Sequence, residues 1–299
     1  MLNEADNLET LPAKVLGAAD AIPDVETELI LVDDGSTDST WKMICDYCYK
    51  DPRIRGIRLS RNFGNHAALL AGFRAATGDV GMNLAADLQT PLELIRRFFD
   101  EYKKGGEIIL GARRHRADSA VDQFLSRVFY RTVNLIASQH MPIGGIDTFM
   151  INRTVINELV QLHGRNTSIV GLVMNLGFDQ RSIEYDRPVR LQGHSKWTFA
   201  MKVKLFLDGI FSFSSLPLRI CLPIGGAMLI LGVSGLAVTV WNDGMVVSLC
   251  SLVSLAAILA GFQFVGIALL GEYLYRVFQE ASQHPVFVVR EEIGKPVAK

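Results

Sequence analysis

Apolar and polar positions alternate in blocks over the first 190 or so residues. Short apolar runs, "TELILVDD", "IRGIRLS", "DVGMNLAAD" and "EIILGAR", read as strands. Between them, apolar residues recur at helical spacing and predict helices over Asp6–Ala19, Asp38–Tyr49, Asn65–Thr77 and Leu92–Lys103. Each strand run is followed by a turn rich in Gly, Asp, Ser or Asn. This alternation predicts an α/β domain with a mainly parallel sheet, whose ligands collect at the carboxyl ends of the strands.

The pattern changes in the last third of the chain. From Ile220 to Trp241 there is no charged residue over 22 positions, and from Met245 to Gly271 none over 27. Each run can cross a hydrocarbon core of about 30 Å at about 1.5 Å per residue. Only "NDG" separates them, which predicts a tight transmembrane hairpin; its C-terminal place excludes a signal peptide. The turn holds no Lys or Arg, whereas Lys196, Lys202, Lys204 and Arg219 precede the hairpin and Arg276 and Arg290 follow it. Both ends are therefore expected on the cytoplasmic side. The preceding "KWTFAMKVKLFLDGIFSFSSLP" reads as an interfacial helix. The expected organisation is an α/β domain over residues 1–190, a juxtamembrane interfacial segment over 191–216, a two-helix hairpin over 217–275 and a cytoplasmic tail over 276–299.

Composition agrees with a localised apolar excess, since 49% of residues are hydrophobic while the mean hydropathy is only +0.24. Thirty Lys and Arg nearly balance 31 Asp and Glu, so charge gives no argument for a nucleic-acid partner. Four cysteines make no disulfide framework in a chain of 299 residues. Cys45 and Cys48 form a C-x-x-C late in a helical pattern, away from a helix N-terminus that would stabilise a thiolate, so no redox or zinc function is expected.

Three stretches carry candidate chemistry. "LILVDDGSTDST" ends a strand in Asp33 and Asp34, two adjacent carboxylates that point in different directions, so that one can reach a ligand while the other orders the loop. "AADLQTP" sets Asp87 and Gln89 two apart before a Pro. Asp87 there reads either as the cap of the following helix or, with Gln89, as an oxygen-donor pair for a metal. "GGIDTFMINR" places Asp147 either in a site or at a strand end capping the helix from Thr154.

"NEADNLE", "ILVDDGSTDST", "LSRNFGNHAALLAGFRAATGD", "AADLQTP" and "GARR" in this order resemble the family 2 glycosyltransferases, which have the nucleotide-sugar-binding fold called GT-A. With "GGIDTFMINR", "GHSKW" and the terminal hairpin, the chain is similar to the branch that loads one sugar onto a polyprenyl phosphate, the bactoprenol glucosyltransferases and dolichol-phosphate mannose synthases. The resemblance implies that Glu4, Asp33, Asp34 and Arg61 bind the nucleotide sugar, and that Asp87 and Gln89 hold Mg²⁺ or Mn²⁺ against its diphosphate. It places Asp147, with Asp87, in the catalytic centre, and offers Arg113, Arg127, Arg131, Ser195 and Lys196 to the lipid phosphate.

The implied reaction is inverting transfer of a single sugar, glucose from UDP-glucose before mannose from GDP-mannose, to undecaprenyl phosphate. It takes place at the bilayer of a bacterial inner membrane; the sequence is compatible with a homo-oligomer. Two departures stand out. Ala85 occupies a position where many members of that family carry an acid, and the chain begins where the family's first strand has already ended, so that Met1 reads as a truncated or misassigned start. A processive polysaccharide synthase would carry a Q-x-x-R-W motif, which is absent; a degenerate binding protein remains the non-enzymatic alternative.

Overall fold

The computed structural model describes residues 1–87, 89–113, 146–162, 169–186, 223–224, 227, 230, 249–281 and 285–294. Two compact units divide the chain, one of residues 1–199 with 284–299 and one of residues 200–283. The first unit opens with α1 (Ala5–Leu8) and α2 (Leu11–Asp20) and continues through β1 (Leu29–Asp33), α3 (Thr40–Lys50) and β2 (Ile54–Leu59). It goes on with α4 (Asn65–Ala75), β3 (Val80–Met82), α5 (Glu93–Lys103), β4 (Ile108–Arg113) and β5 (Ile146–Asn152). Then follow α6 (Arg153–Gln161), α7 (Ile169–Asn175) and β6 (Gln180–Tyr185). The second unit contains α8 (Leu249–Ala281), after which the chain returns to the first unit as β7 (Val289–Ile293).

The helix expected over Asp6–Ala19 is two helices. Pro12 stands at the start of α2, where its missing N–H costs nothing but forbids a continuous helix through Leu8 to Leu11. The mainly parallel sheet is corrected to two mixed sheets. Strands β1 and β2 pair in parallel, as do β4 and β6, but β7 joins β2, and β5 joins both β3 and β4, in antiparallel fashion. The difference lies with β5 and β7, which enter their sheets after the long segments 114–145 and 200–283, so their direction is not set by the short strand-helix-strand repeat that the alternating pattern suggests. Part of the stretch expected as tail, 276–299, is thus a strand of the sheet.

Alternate residues of the second sheet feed opposite layers. Ile108, Leu110, Phe149 and Ile151 pack under α4, α6 and α7, while Ile109, Met150 and Ile183 pack under Leu94 and Phe98 of α5. Phe73 stacks on Phe149 at 5.6 Å between ring centroids, locking α4 onto β5. In the first sheet, Leu31 and Ile54 face α1, α2 and α3, and Val32, Ile57 and Leu59 face Ala68 and Ala71 of α4.

At the amino end of β1, Glu28 accepts hydrogen bonds from Thr77 N at 2.5 Å, Thr77 Oγ1 at 2.9 Å and Gly78 N at 3.0 Å, and from Arg55 Nη1 at 3.3 Å. Burial alone would push this carboxyl upward, but the donors from Thr77, Gly78 and Arg55 outweigh it and hold the pKa below its ordinary 4.5. A carboxylate held low in the folded state stabilises it above the unfolded pKa and loses that contribution as pH falls through the folded value. Glu28→Ala is therefore expected to cost about 2 kcal/mol at neutral pH, with the gap to wild type closing below about pH 4.5. Thermal unfolding across that window checks it; a gap independent of pH would assign the loss to packing.

Among the described residues no helix is long and apolar enough to cross a membrane. The first expected span, Ile220 to Trp241, is described only at Pro223, Ile224, Ala227 and Ile230, and the interfacial segment 191–216 lies outside the described residues beyond position 190. The second, Met245 to Gly271, overlaps α8 from Leu249 onward; that helix has no charged residue before Glu272, runs on to Ala281 and exposes Phe264, Ile267 and Leu274.

Candidate active site

The candidate residues lie where strands end. Asp33 closes β1 and is fully buried: its Oδ1 accepts from Ser36 N at 2.9 Å, and its Oδ2 faces Arg58 Nε at 3.4 Å without a hydrogen bond. Asp34 points the other way. Its two oxygens accept Phe63 N at 2.8 Å and Gly64 N at 2.9 Å, so it fixes the "SRNFG" loop. Burial pushes its carboxyl above the ordinary value despite those two donors. Of the two adjacent acids, Asp34 is the loop-ordering member.

Gly35 lets these loops meet. It has φ +76°, and a Cβ there would lie 2.6 Å from Arg61 C, which no side chain tolerates. Arg61 is exposed on this edge, its guanidinium 4.1 Å from the Phe63 ring centroid. Asn3 and Glu4 seal the other side: Asn3 N donates to Ser36 Oγ at 2.9 Å, Thr37 N donates to Asn3 Oδ1 at 2.9 Å, and Glu4 N donates to Thr40 Oγ1 at 3.0 Å. The Glu4 carboxylate accepts from Asn7 Nδ2 at 2.6 Å. Met1 runs beside β1, its ammonium donating to Val32 O at 2.7 Å and its carbonyl accepting from Asp34 N at 2.8 Å.

The loop after β3 carries Asp87 and Gln89. Leu84 and Ala86 pack on the same core as Met1, Leu8 and Leu11, which seats this loop beside the β1 edge; Ala85 between them is exposed. Asp87 does not cap the next helix. That helix begins at Glu93, its N-cap Leu92 makes no side-chain bond, and Asp87 Oδ1 instead accepts Gln89 N at 3.2 Å. Among the described residues no three His, Cys, Asp or Glu side chains cluster as a metal site. The donors that are present, one carboxylate and one carboxamide on a loop, suit a hard cation that takes its remaining oxygens from phosphate and water.

Asp147 sits at the start of β5, and because β5 runs antiparallel to β4 this brings it to the carboxyl end of β4. There Gly111 pairs with Thr148 and Ala112 with Ile146, leaving Asp147 as the extra residue of a β-bulge. Gly111 permits the tight approach, since a Cβ would lie 2.7 Å from Thr148 Cγ2. Turned out of the ladder, Asp147 forms an ion pair with Arg113 Nη2, and Tyr185 Oη lies 3.4 Å from the same Oδ2. Asn83 pins the bulge, its Nδ2 donating to Asp147 O at 3.0 Å and its Oδ1 accepting Phe149 N at 2.7 Å. Capping of α6 falls to Asn152, which accepts Val155 N at 2.9 Å, so Asp147 is not a helix cap.

The structure brings together Asp147 and Arg113, and separately Glu4, Asp33, Asp34 and the Arg61 loop. Arg127, Arg131, Ser195 and Lys196 lie outside the described residues. Sequence reading missed Asn3, Asn83 and Tyr185. For Asn83 the available signal was a polar residue interrupting an apolar run; for Tyr185, a hydroxyl-bearing aromatic at the last strand position. Burial raises the thiols of both Cys45 and Cys48, the latter to about 11.

Residues 1–160 match the family model Glycosyl transferase family 2, and residues 216–277 match GtrB C-terminal hairpin. An uncharacterised glycosyltransferase of Synechocystis, sll0501, is 35% identical over 98% of this chain and 94% of its own length. The undecaprenyl-phosphate 4-deoxy-4-formamido-L-arabinose transferase of Shewanella sediminis is 32% identical over 97% of this chain and 89% of its own. The bactoprenol glucosyl transferase of Shigella phage SfV is 30% identical over 90% of each. The family match spans more than half of the chain and these relatives nearly all of it: the chain belongs to glycosyltransferase family 2 and carries the C-terminal hairpin of the GtrB type.

Proposed function

We propose that the protein transfers one sugar, glucose from UDP-glucose, to undecaprenyl phosphate at the cytoplasmic face of a bacterial inner membrane, with inversion. The observation that carries this reading is the Arg113–Asp147 pair, a guanidinium and a carboxylate at one strand end, with Tyr185 beside them. A phosphate monoester acceptor needs a cation to receive it and an oxygen that supports charge on the sugar ring. A base is dispensable, because the second phosphate pKa lies near 6 and the nucleophile is already a dianion. Arg113 exchanges from Asp147 to the incoming phosphate, and the released Asp147 carboxylate faces the anomeric carbon as its bond to the diphosphate breaks.

The nucleotide half is assigned to the β1 edge, with Asp33 toward base or ribose and Arg61 over the exposed rim. Asp87 and Gln89 would hold Mg²⁺ or Mn²⁺, which would supply the positive charge that a departing nucleoside diphosphate needs. Two charge-free runs and the hairpin match support membrane anchorage with both termini cytoplasmic, and a lipid acceptor explains why an anchor is needed. The names of the Shewanella and phage relatives support a polyprenyl phosphate acceptor; the phage relative's name favours glucose over mannose from GDP-mannose.

The test is product analysis with labelled UDP- and GDP-sugars and undecaprenyl phosphate in sealed inside-out vesicles. A single β-linked sugar on the lipid phosphate, formed with donor outside the vesicle, is expected from an α-linked donor. An α-linked product, a polymer, or no lipid-linked sugar overturns the reading; product formed only after the vesicles are opened overturns the cytoplasmic face.

A further inference from the structure

The last strand reaches the nucleotide edge through a row of charges. In the ladder of the first sheet Asp33 stands opposite Arg58, and Arg58 opposite Glu291, so the three side chains line up on one face across β1, β2 and β7. Arg58 Nε lies 3.4 Å from Asp33 Oδ2, and Arg58 Nη1 lies 3.6 Å from Glu291 Oε1. Glu291 is itself held: its Oε2 accepts Trp41 Nε1 at 2.9 Å, Arg290 Nε lies 3.6 Å from its Oε1, and the Arg58 guanidinium lies 5.7 Å from the Trp41 ring centroid. Asp33 Oδ2 is fully buried and accepts no hydrogen bond, although Arg58 could supply one from a slightly closer position.

We propose that Glu291 is a positioning residue for nucleotide binding: by sharing the charge of Arg58 it keeps the guanidinium from closing on Asp33, and so leaves Asp33 Oδ2 to a donor group of the nucleotide. The proposal rests on the assignment of Asp33 to the nucleotide made above. Its chemistry is a competition of two carboxylates for one cation. When one carboxylate is neutralised, the guanidinium moves fully to the other, because a bidentate or direct charge-assisted bond is stronger than a divided one. The nucleotide then has to displace Arg58 before it can bind. The residue responsible comes from a strand that follows the hairpin in sequence.

Binding of UDP and of GDP, each with Mn²⁺, is measured by calorimetry on the full-length protein in detergent, alongside transfer kinetics. Glu291→Gln is expected to raise the dissociation constant of the bound nucleotide about tenfold, with kcat at saturating donor within about twofold of wild type. Trp41→Phe, which removes the hydrogen bond that fixes Glu291 and keeps an aromatic ring under Arg58, shifts it in the same direction by a smaller factor. Glu292→Gln is the control. Glu292 is adjacent on β7, hence on the other face, and pairs with Arg55 at 2.8 Å; its loss lowers the unfolding temperature without changing nucleotide affinity. Unchanged affinity in Glu291→Gln, or an equal shift in Glu292→Gln, overturns the positioning role while the proposed function stands. A wild-type protein that binds neither nucleotide overturns the proposed function and the positioning role together.

Discussion

Replacing Asp87 by Ala is expected to lower sugar transfer by about a thousandfold or more while the unfolding temperature stays close to that of wild type. The structure separates these two effects. Asp87 is partly exposed on its loop, its Oδ1 accepts Gln89 N two residues on, and α5 starts only at Glu93. The carboxylate lies outside the helices and strand ladders, so its replacement leaves them in place. A divalent cation held by Asp87 and Gln89 would lose its carboxylate donor, and Ala85 offers no substitute. Chelator is expected to reproduce the loss in the wild type, with Mg²⁺ or Mn²⁺ restoring activity. Full turnover in chelator would return the loop to a structural role.

Asp147→Asn is expected to reduce kcat by about a hundredfold and to leave the pH optimum where it is. The amide keeps the size of the side chain and its place in the bulge pinned by Asn83. What disappears is the negative charge opposite Arg113, and with it the charge that, in the proposed function, supports the breaking anomeric bond. Since the acceptor phosphate is already ionised at neutral pH, no proton has to be removed, and the profile keeps its shape. A pH–rate profile on the purified protein decides the matter. An optimum displaced upward by a full unit would make Asp147 a general base, and an unchanged kcat would remove it from the reaction.

The elements that sequence made legible are those whose information is local. Strand β1 was visible because an apolar run stops at two acids, and α5 because Leu94 and Phe98 recur on one face. The strand expected over "DVGMNLAAD" shrank to Val80–Met82, because at Asn83 one backbone bond, its N–H to Phe149 O at 3.2 Å, is completed by the Asn83 side chain accepting Phe149 N, where a regular ladder would use the Asn83 carbonyl. Strand β7 was invisible for a related reason. Three of its five residues, Arg290, Glu291 and Glu292, are charged, as suits an edge strand, and each Glu finds its arginine on or beside β2, more than 230 positions back. The bulge at Asp147 depends on the register against β4 across the 114–145 segment, which no local pattern encodes. The candidate site was legible as a set of residues, and Asp34 as a choice between two roles, but its pairings were not.

The return of the chain as β7 also sets an order on biosynthesis. Ile57 pairs with Glu292, so the outer edge of β2 cannot close until the ribosome has released the chain through Ile293, including all of residues 200–283. Until then the nascent domain presents the unpaired N–H and C=O groups of Gly56 to Leu59 as a template for any extended segment nearby. Contacts of such high sequence separation are the slowest to form, since the entropy of closing the loop is lost before the pairing can compensate for it. A chain that stalls or is cleaved before residue 289 keeps an open-edged sheet, so completion of the globular domain reports that the intervening segment has already been made.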